Sequence, residues 1–174
     1  MMKASGDGFF AGIDTRSYAP RGVLLGQAAD DSCVPACVRM LLLDEAPERI
    51  DDYQFSESFL RARLETTSKG SVVSSIPFVL QDMGVIQPYI FRTDMTLDDL
   101  RRSVQSGYAI VVLRTDFPKT VHVMLIEELT DEMVAVRDPL PMGQGSSYMV
   151  ELAAFLSAWE VGGSNTGCAV VVLE

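Results

Sequence analysis

Apolar positions recur first at helical spacing and later at strand spacing along the chain. Val34, Cys37, Val38, Leu41 and Leu42 fall at i, i+3, i+4, i+7 and i+8, which predicts a core-packed helix over 33–43. Asp30-Asp31-Ser32 precedes it as an N-cap signal, and Pro35 falls in the first turn, where a missing N–H costs little. A less regular helix is expected over 56–64. Another is expected over 72–83, ending at Gly84, with Pro77 marking a kink or a later start. Residues 85–91 read as a short strand. Thr96 caps an expected helix to Ser106, with Asp98 and Asp99 in its first turn and Gly107 just beyond its end.

The second half changes character. Residues 108–113, 121–129, 133–138 and 168–173 are β-branched and apolar and are spaced by turn signals, so they read as sheet strands. One more helix, over 150–159, is expected between the last two. Helices first and antiparallel strands second is an α+β order: an N-terminal helical half packed on a C-terminal antiparallel β-sheet. Residues 1–22, rich in Gly, Ser, Asp and Pro, are expected to be an irregular arm, and 23–174 a single domain.

Charge narrows the function classes. Fourteen Lys and Arg against 24 Asp and Glu give a net charge of −10, a poor match to nucleic acid or an anionic membrane. The longest apolar runs are far below the roughly 20 residues of a membrane span. Three cysteines, with only Cys33 and Cys37 close together, do not make a secreted disulfide framework and fit a reducing compartment. Met1-Met2-Lys3-Ala4-Ser5-Gly6-Asp7-Gly8 has no apolar stretch behind its one positive charge, so no signal peptide is expected.

Reactive chemistry gathers around the single histidine, His122, on a strand apolar on both faces. A core histidine with one backbone partner is the ordinary reading. Two neighbours change it. If strands 121–129 and 133–138 turn about Thr130-Asp131 with an odd-length loop, His122 lies directly opposite Asp138 and on the same face. The carboxylate could then fix the imidazole tautomer; otherwise Asp138 simply ends a strand before Pro139. Cys33 opens the 33–43 helix, where the partial positive charge of the helix end favours a thiolate. Asp30 and Asp31 oppose that effect if they point at the sulfur. Cys37 belongs to the apolar stripe, and Cys168, opening the last strand, is expected in the core as well. Gln27 lies six residues before Cys33, where its amide could join the Cys33 N–H as an oxyanion hole.

Gln27, Cys33 at a helix start, His122 on a strand and Asp138-Pro139 on the next strand together resemble the papain-like cysteine peptidases. The nearest branch is the bacteriocin-processing domains that cleave double-glycine leader peptides. The similarity runs from about Gln27 to the end and includes the Phe155…Trp159 helix before the last strand. It implies a papain-like fold, Cys33 as nucleophile, His122 as general base and acid, Asp138 as the residue orienting His122, and Gln27 as oxyanion donor. It also implies a peptide or protein substrate, no cofactor and no metal. One departure is Val34, where the family usually has Gly; a bulkier side chain beside the sulfur is expected to narrow the substrate groove.

Other readings use the same residues. A Cys–His–Asp set also supports deamidation of a glutamine side chain through the same thioester, as in toxin or effector domains. Cys33, Cys37, Cys168 and His122 make up a Cys₃His set of the kind that binds zinc, although Cys37 sits on an apolar stripe. A catalytically inert binding module is the third alternative. The chain is expected in the cytoplasm, or as part of a larger exported protein with a cognate inhibitor or immunity partner.

Overall fold

The computed structural model describes residues 8–116, 119–161 and 163–173. An antiparallel sheet runs in the order β1-β6-β2-β3-β4-β5. Its strands are β1 (Tyr89–Met95), β2 (Ala109–Asp116), β3 (Lys119–Leu129), β4 (Met133–Asp138), β5 (Ser146–Glu151) and β6 (Gly167–Val172). The helices are α1 (Gly8–Ala11), α2 (Cys33–Glu45), α3 (Glu57–Arg63), α4 (Ile76–Asp82), α5 (Leu97–Ser106) and α6 (Leu152–Trp159). No helix among the described residues is long and apolar enough to cross a membrane. The first seven residues of the N-terminal arm lie outside the described residues. Within the rest of the arm, Phe9 of α1 is buried and Ile13 bridges Val150.

The sheet is central because its middle strands carry unbroken apolar runs, Ala109–Leu113 and Val123–Ile126 among them. Ile110, Val123, Leu125 and Val170 face the core built by α2 and α4. Val111, Leu113, Met124, Ile126 and Val136 face a second core with Phe9, Leu100 of α5, and Phe155 and Trp159 of α6. Strands covered on both faces read as unbroken apolar runs, as these do. The α+β expectation is met, and the structure adds a second helical layer behind the sheet.

Helix α2 is more than a one-sided stripe. Val34, Pro35, Ala36, Cys37, Val38, Met40, Leu41, Leu42 and Leu43 are all buried, since the helix lies between the sheet and α3 and α4. An all-round apolar helix is a central one. The Cys37 thiol donates to the Val123 carbonyl of β3 at 3.6 Å near one end. At the other end, Asp44 takes a two-pronged bond from the fully buried Arg137 of β4, at 3.0 and 2.6 Å. Both anchors hold α2 against the strands that carry His122 and Asp138.

Several element bounds differ from expectation. The edge strand runs over 89–95 rather than 85–91, because Val85 instead closes α4, donating its N–H to the Leu80 carbonyl after Gly84 at φ +92°. Pro77 marks a later start, with α4 opening at Ile76. The helix expected from Val150 begins at Leu152; the preceding residues form β5, with Tyr148 and Val150 facing inward. Thr96 and Asp99 close a full capping box on α5.

The β3–β4 register corrects the simplest hairpin geometry. Leu129 pairs with Val134, an even-length connection that by itself would put His122 and Asp138 on opposite faces. A bulge between Ile126 and Glu128 removes Glu127 from the ladder, after which Leu125 pairs with Arg137. Continuing that register sets Asp138 across from Met124, two residues from His122 and on its face. The pair is therefore diagonal, not directly opposed. Glu127 is held in the bulge by accepting the Arg21 N–H at 2.8 and 3.1 Å and by the Arg137 guanidinium at 3.7 Å.

Candidate active site

His122 and Asp138 meet where β3 begins and β4 ends. The imidazole Nε2 lies 2.8 Å from Asp138 Oδ1, and both side chains are buried. That carboxylate has further donors: the Leu140 N–H reaches Oδ1 at 2.9 Å and the Tyr148 hydroxyl reaches Oδ2 at 2.8 Å. Burial, reinforced by the Asp138 charge, pushes the Tyr148 hydroxyl far above its ordinary value, so it stays a donor. A carboxylate bonded on both oxygens is fixed in aim.

Cys33 completes the cluster from the other side. It lies beside His122, whose Nε2 is engaged by Asp138, so that Nδ1 is the ring nitrogen left free. Burial disfavours the imidazolium, but bonds to Asp138 and Cys33 and their charges outweigh it and raise His122 from 6.5 to about 9. A ring that is cationic at neutral pH carries a proton it can give to a leaving group. Cys37, one turn along, is the opposite case: complete burial, then the charges of Cys33 and Asp138, hold its thiol well above the ordinary value.

The residues before Cys33 are arranged differently from the N-cap expectation. Ser32 occupies the cap position without a side-chain cap bond, because its hydroxyl is taken by Arg61 of α3. The same guanidinium pairs with Asp31, so that carboxylate is neutralised rather than opposed to the sulfur. Arg61 also lowers the Asp31 carboxyl below its ordinary range. The first turn of α2, which Cys33 opens, thus has no serine cap.

Gln27 is buried in the same loop. Its side-chain NH₂ donates to the carbonyls of Ala29 at 2.7 Å and Asp30 at 3.2 Å, and its Oε1 is buried without a partner. Its backbone joins the loop after Asp138: the Gln27 N–H donates to Pro139 O at 2.8 Å, and the Gly143 N–H to Gln27 O at 2.9 Å. Gly26 permits this contact, since a Cβ there would come within 2.3 Å of the Gln144 nitrogen.

Two expectations about neighbouring residues are overturned. Val34 is 3% exposed and packs in the core with Val38 and Leu80, so it lines no groove. Its side chain turns away from the surface that Cys33 reaches. Cys168 is half-buried rather than in the core, with its sulfur 3.7 Å from the Thr93 carbonyl at the sheet edge. Cys33, Cys37, Cys168 and His122 do not form a zinc set: among the described residues, no three His, Cys, Asp or Glu side chains converge as metal ligands.

Sequence reasoning missed Tyr148, Arg61 and Glu57. Tyr148 was discoverable from alternation, since its partner is Val136, two residues from Asp138. Glu57 accepts the Ala28 N–H at 3.0 and 3.1 Å. Glu57 and Arg61 have no such signal, because an acid and a base four apart on a helix usually read as a solvated pair.

No family model matches the sequence, and no curated protein does. Solved structures share its fold. The peptidase domain of Streptococcus ComA, a bi-functional ABC transporter involved in quorum sensing, superposes with a TM-score of 0.59 at 18% identity, covering 87% of this chain and 98% of that one. A putative C39-like peptidase from Bacillus anthracis gives 0.59 at 13% identity, covering 89% and 98%. A double glycine motif protease from an AMS/PCAT transporter, solved with its leader peptide, gives 0.54 at 10% identity, covering 92% and 98%. The chain therefore has the papain-like α+β fold of these peptidase domains.

Proposed function

We propose that the chain is a papain-like cysteine peptidase with Cys33 as nucleophile. The observation that carries this reading is the buried His122–Asp138 pair at 2.8 Å with Cys33 beside the same imidazole. In this mechanism Cys33 sulfur attacks the substrate carbonyl carbon and the C=O π electrons move onto oxygen. The resulting oxyanion is met by the Cys33 N–H and the Gln27 amide. In the free site the Gln27 NH₂ donates to the Ala29 and Asp30 carbonyls, so in this reading it turns one hydrogen to the oxyanion when substrate binds.

The imidazolium of His122 then gives its proton to the leaving nitrogen, the C–N bond breaks, and a thioester remains on Cys33. Water attacks the thioester while His122 takes its proton, releasing the acid and restoring the thiolate. Asp138, itself held by Tyr148 and Leu140, keeps the ring aimed and stabilises its positive form.

The substrate in this reading is a peptide or protein amide. The double glycine motif protease was solved with a leader peptide, so a leader segment ending in Gly-Gly is the first substrate to try. Two of the similar structures come from transporters, and the same setting, a peptidase domain within a larger protein, is proposed for this chain. The test is incubation with leader-type peptides and mass analysis of the products. Cleavage by wild type and none by Cys33→Ala is expected; equal cleavage by both would overturn the reading.

A further inference from the structure

The loop from Gln27 to Ser32 is held residue by residue, and the grip comes from α3. Glu57 and Arg61 stand four apart and project from one helix face. Glu57 accepts the Ala28 N–H with both carboxylate oxygens. Arg61 holds the Asp31 carboxylate and the Ser32 hydroxyl. The two residues between those grips, Ala29 and Asp30, supply the carbonyls that receive the Gln27 amide. Each restraint bears on one of two donors, the Gln27 amide or the Cys33 N–H. Arg61 has a second consequence, since taking the Ser32 hydroxyl keeps that side chain from capping α2.

We infer that Glu57 and Arg61 are positioning residues that set the oxyanion site, a reading that rests on the proposed peptidase role. Their bonds go to Ala28, Asp31 and Ser32 and not to the sulfur or His122, so they act through the loop. Thiol reactivity and oxyanion stabilisation therefore separate. The first depends on His122 and Asp138, and the second on the loop that α3 holds.

The experiment uses the full chain and two probes. Iodoacetamide alkylation reports the Cys33 thiol, because that reaction develops no oxyanion. The aldehyde acetyl-glycyl-glycinal reports the oxyanion site, because the thiol adds to its carbonyl and the new oxygen occupies that position. In Arg61→Ala, aldehyde affinity is expected to fall at least about tenfold, with alkylation within about twofold of wild type. Glu57→Gln should weaken affinity less, since its amide oxygen still accepts the Ala28 N–H. Arg61→Lys should recover part of the loss, which a general loss of folding would not allow.

Unchanged aldehyde affinity in Arg61→Ala overturns the inference, as does an equal fall in both probes. Its failure is distinguishable from failure of the peptidase reading. A wild type that captures the aldehyde in the Arg61-dependent way yet cleaves no peptide supports the α3 inference and contradicts the peptidase. A wild type that captures no aldehyde overturns both.

Discussion

His122, Asp138 and Tyr148 stand on three adjacent strands, whereas Cys33 and Gln27 are held by a loop and the first turn of a helix. On the strand side, the side chains are buried and the backbone ladder fixes their spacing, so their geometry changes only if strands unpair. On the loop side, Ala28 and Asp30 are exposed and the restraints are side-chain bonds from α3. In the proposed peptidase, the proton-handling groups are thus the rigid ones, and the groups proposed to meet the substrate oxygen sit where local opening costs least. A peptidase needs both: a fixed acid–base pair and a margin open to an extended chain.

The largest effects should come from the reacting groups themselves. Cys33→Ala should abolish turnover, since no thioester forms. His122→Ala should be nearly as severe and should also slow alkylation of Cys33, because the imidazolium is lost. Asp138→Asn should keep more activity than either, with kcat down about 10²–10⁴-fold, as the ring loses its orienting charge. Steady-state kinetics alongside alkylation rates rank the three; an Asp138→Asn enzyme as active as wild type would remove Asp138 from the strand-side unit.

Gln27→Ala tests the loop side. Turnover should fall about 10²–10³-fold while alkylation of Cys33 is almost untouched. Equal losses in both reactions would make Gln27 a brace for the loop through its Ala29 and Asp30 bonds and not an oxyanion donor.

Val34→Gly contrasts with the sequence expectation. Removing a buried side chain costs about 2–3 kcal/mol, and glycine in a helix about 1 kcal/mol more. The thermal midpoint should drop and the peptide preference stay as it was, which a cleavage-profile comparison checks. Tyr148→Phe should be milder: a lost hydrogen bond to a buried carboxylate costs about 1.5–3 kcal/mol, read as a lower denaturant midpoint at pH 7.

A further effect concerns pH. His122 is raised from 6.5 to about 9 by its partners, so its proton stabilises the folded state fully below pH 6.5. That contribution is lost as pH rises through 9. Denaturant midpoints of wild type should fall across this window, and His122→Gln should flatten the fall.

Much of this comparison was legible in the sequence, and unequally. The stripe from Val34 to Leu42 and the Thr96 cap are local signals, so α2 and α5 emerged with their starts in place. The pairing of His122 with Asp138 was also visible, but for a reason only partly correct. An even-length turn and a bulge at Glu127 cancel in parity, and a bulge stabilised by Arg21 and Arg137 leaves no local trace. β1 was placed about four residues early because an edge strand tolerates polar residues such as Arg92, Thr93 and Asp94, which do not alternate cleanly. β5 was absorbed into the following helix because Val150 suits either period. Val34 was misjudged because a residue next to the nucleophile in sequence points a third of a turn away on a helix. The contacts of Glu57 and Arg61 are tertiary, so no spacing in the chain announces them.

The central claim is that Cys33 alone is activated by the strand-side pair. Brief iodoacetamide treatment of the native chain at neutral pH, read by peptide mass spectrometry, tests it most directly. Cys37 is fully buried with its thiol held neutral, and Cys168 is half-buried near the start of β6 with no imidazole beside it, which makes it the fair competitor. Cys33 should be labelled well before Cys168, and His122→Ala should erase that lead. Labelling of Cys168 first, or a lead for Cys33 that survives His122→Ala, would contradict the account.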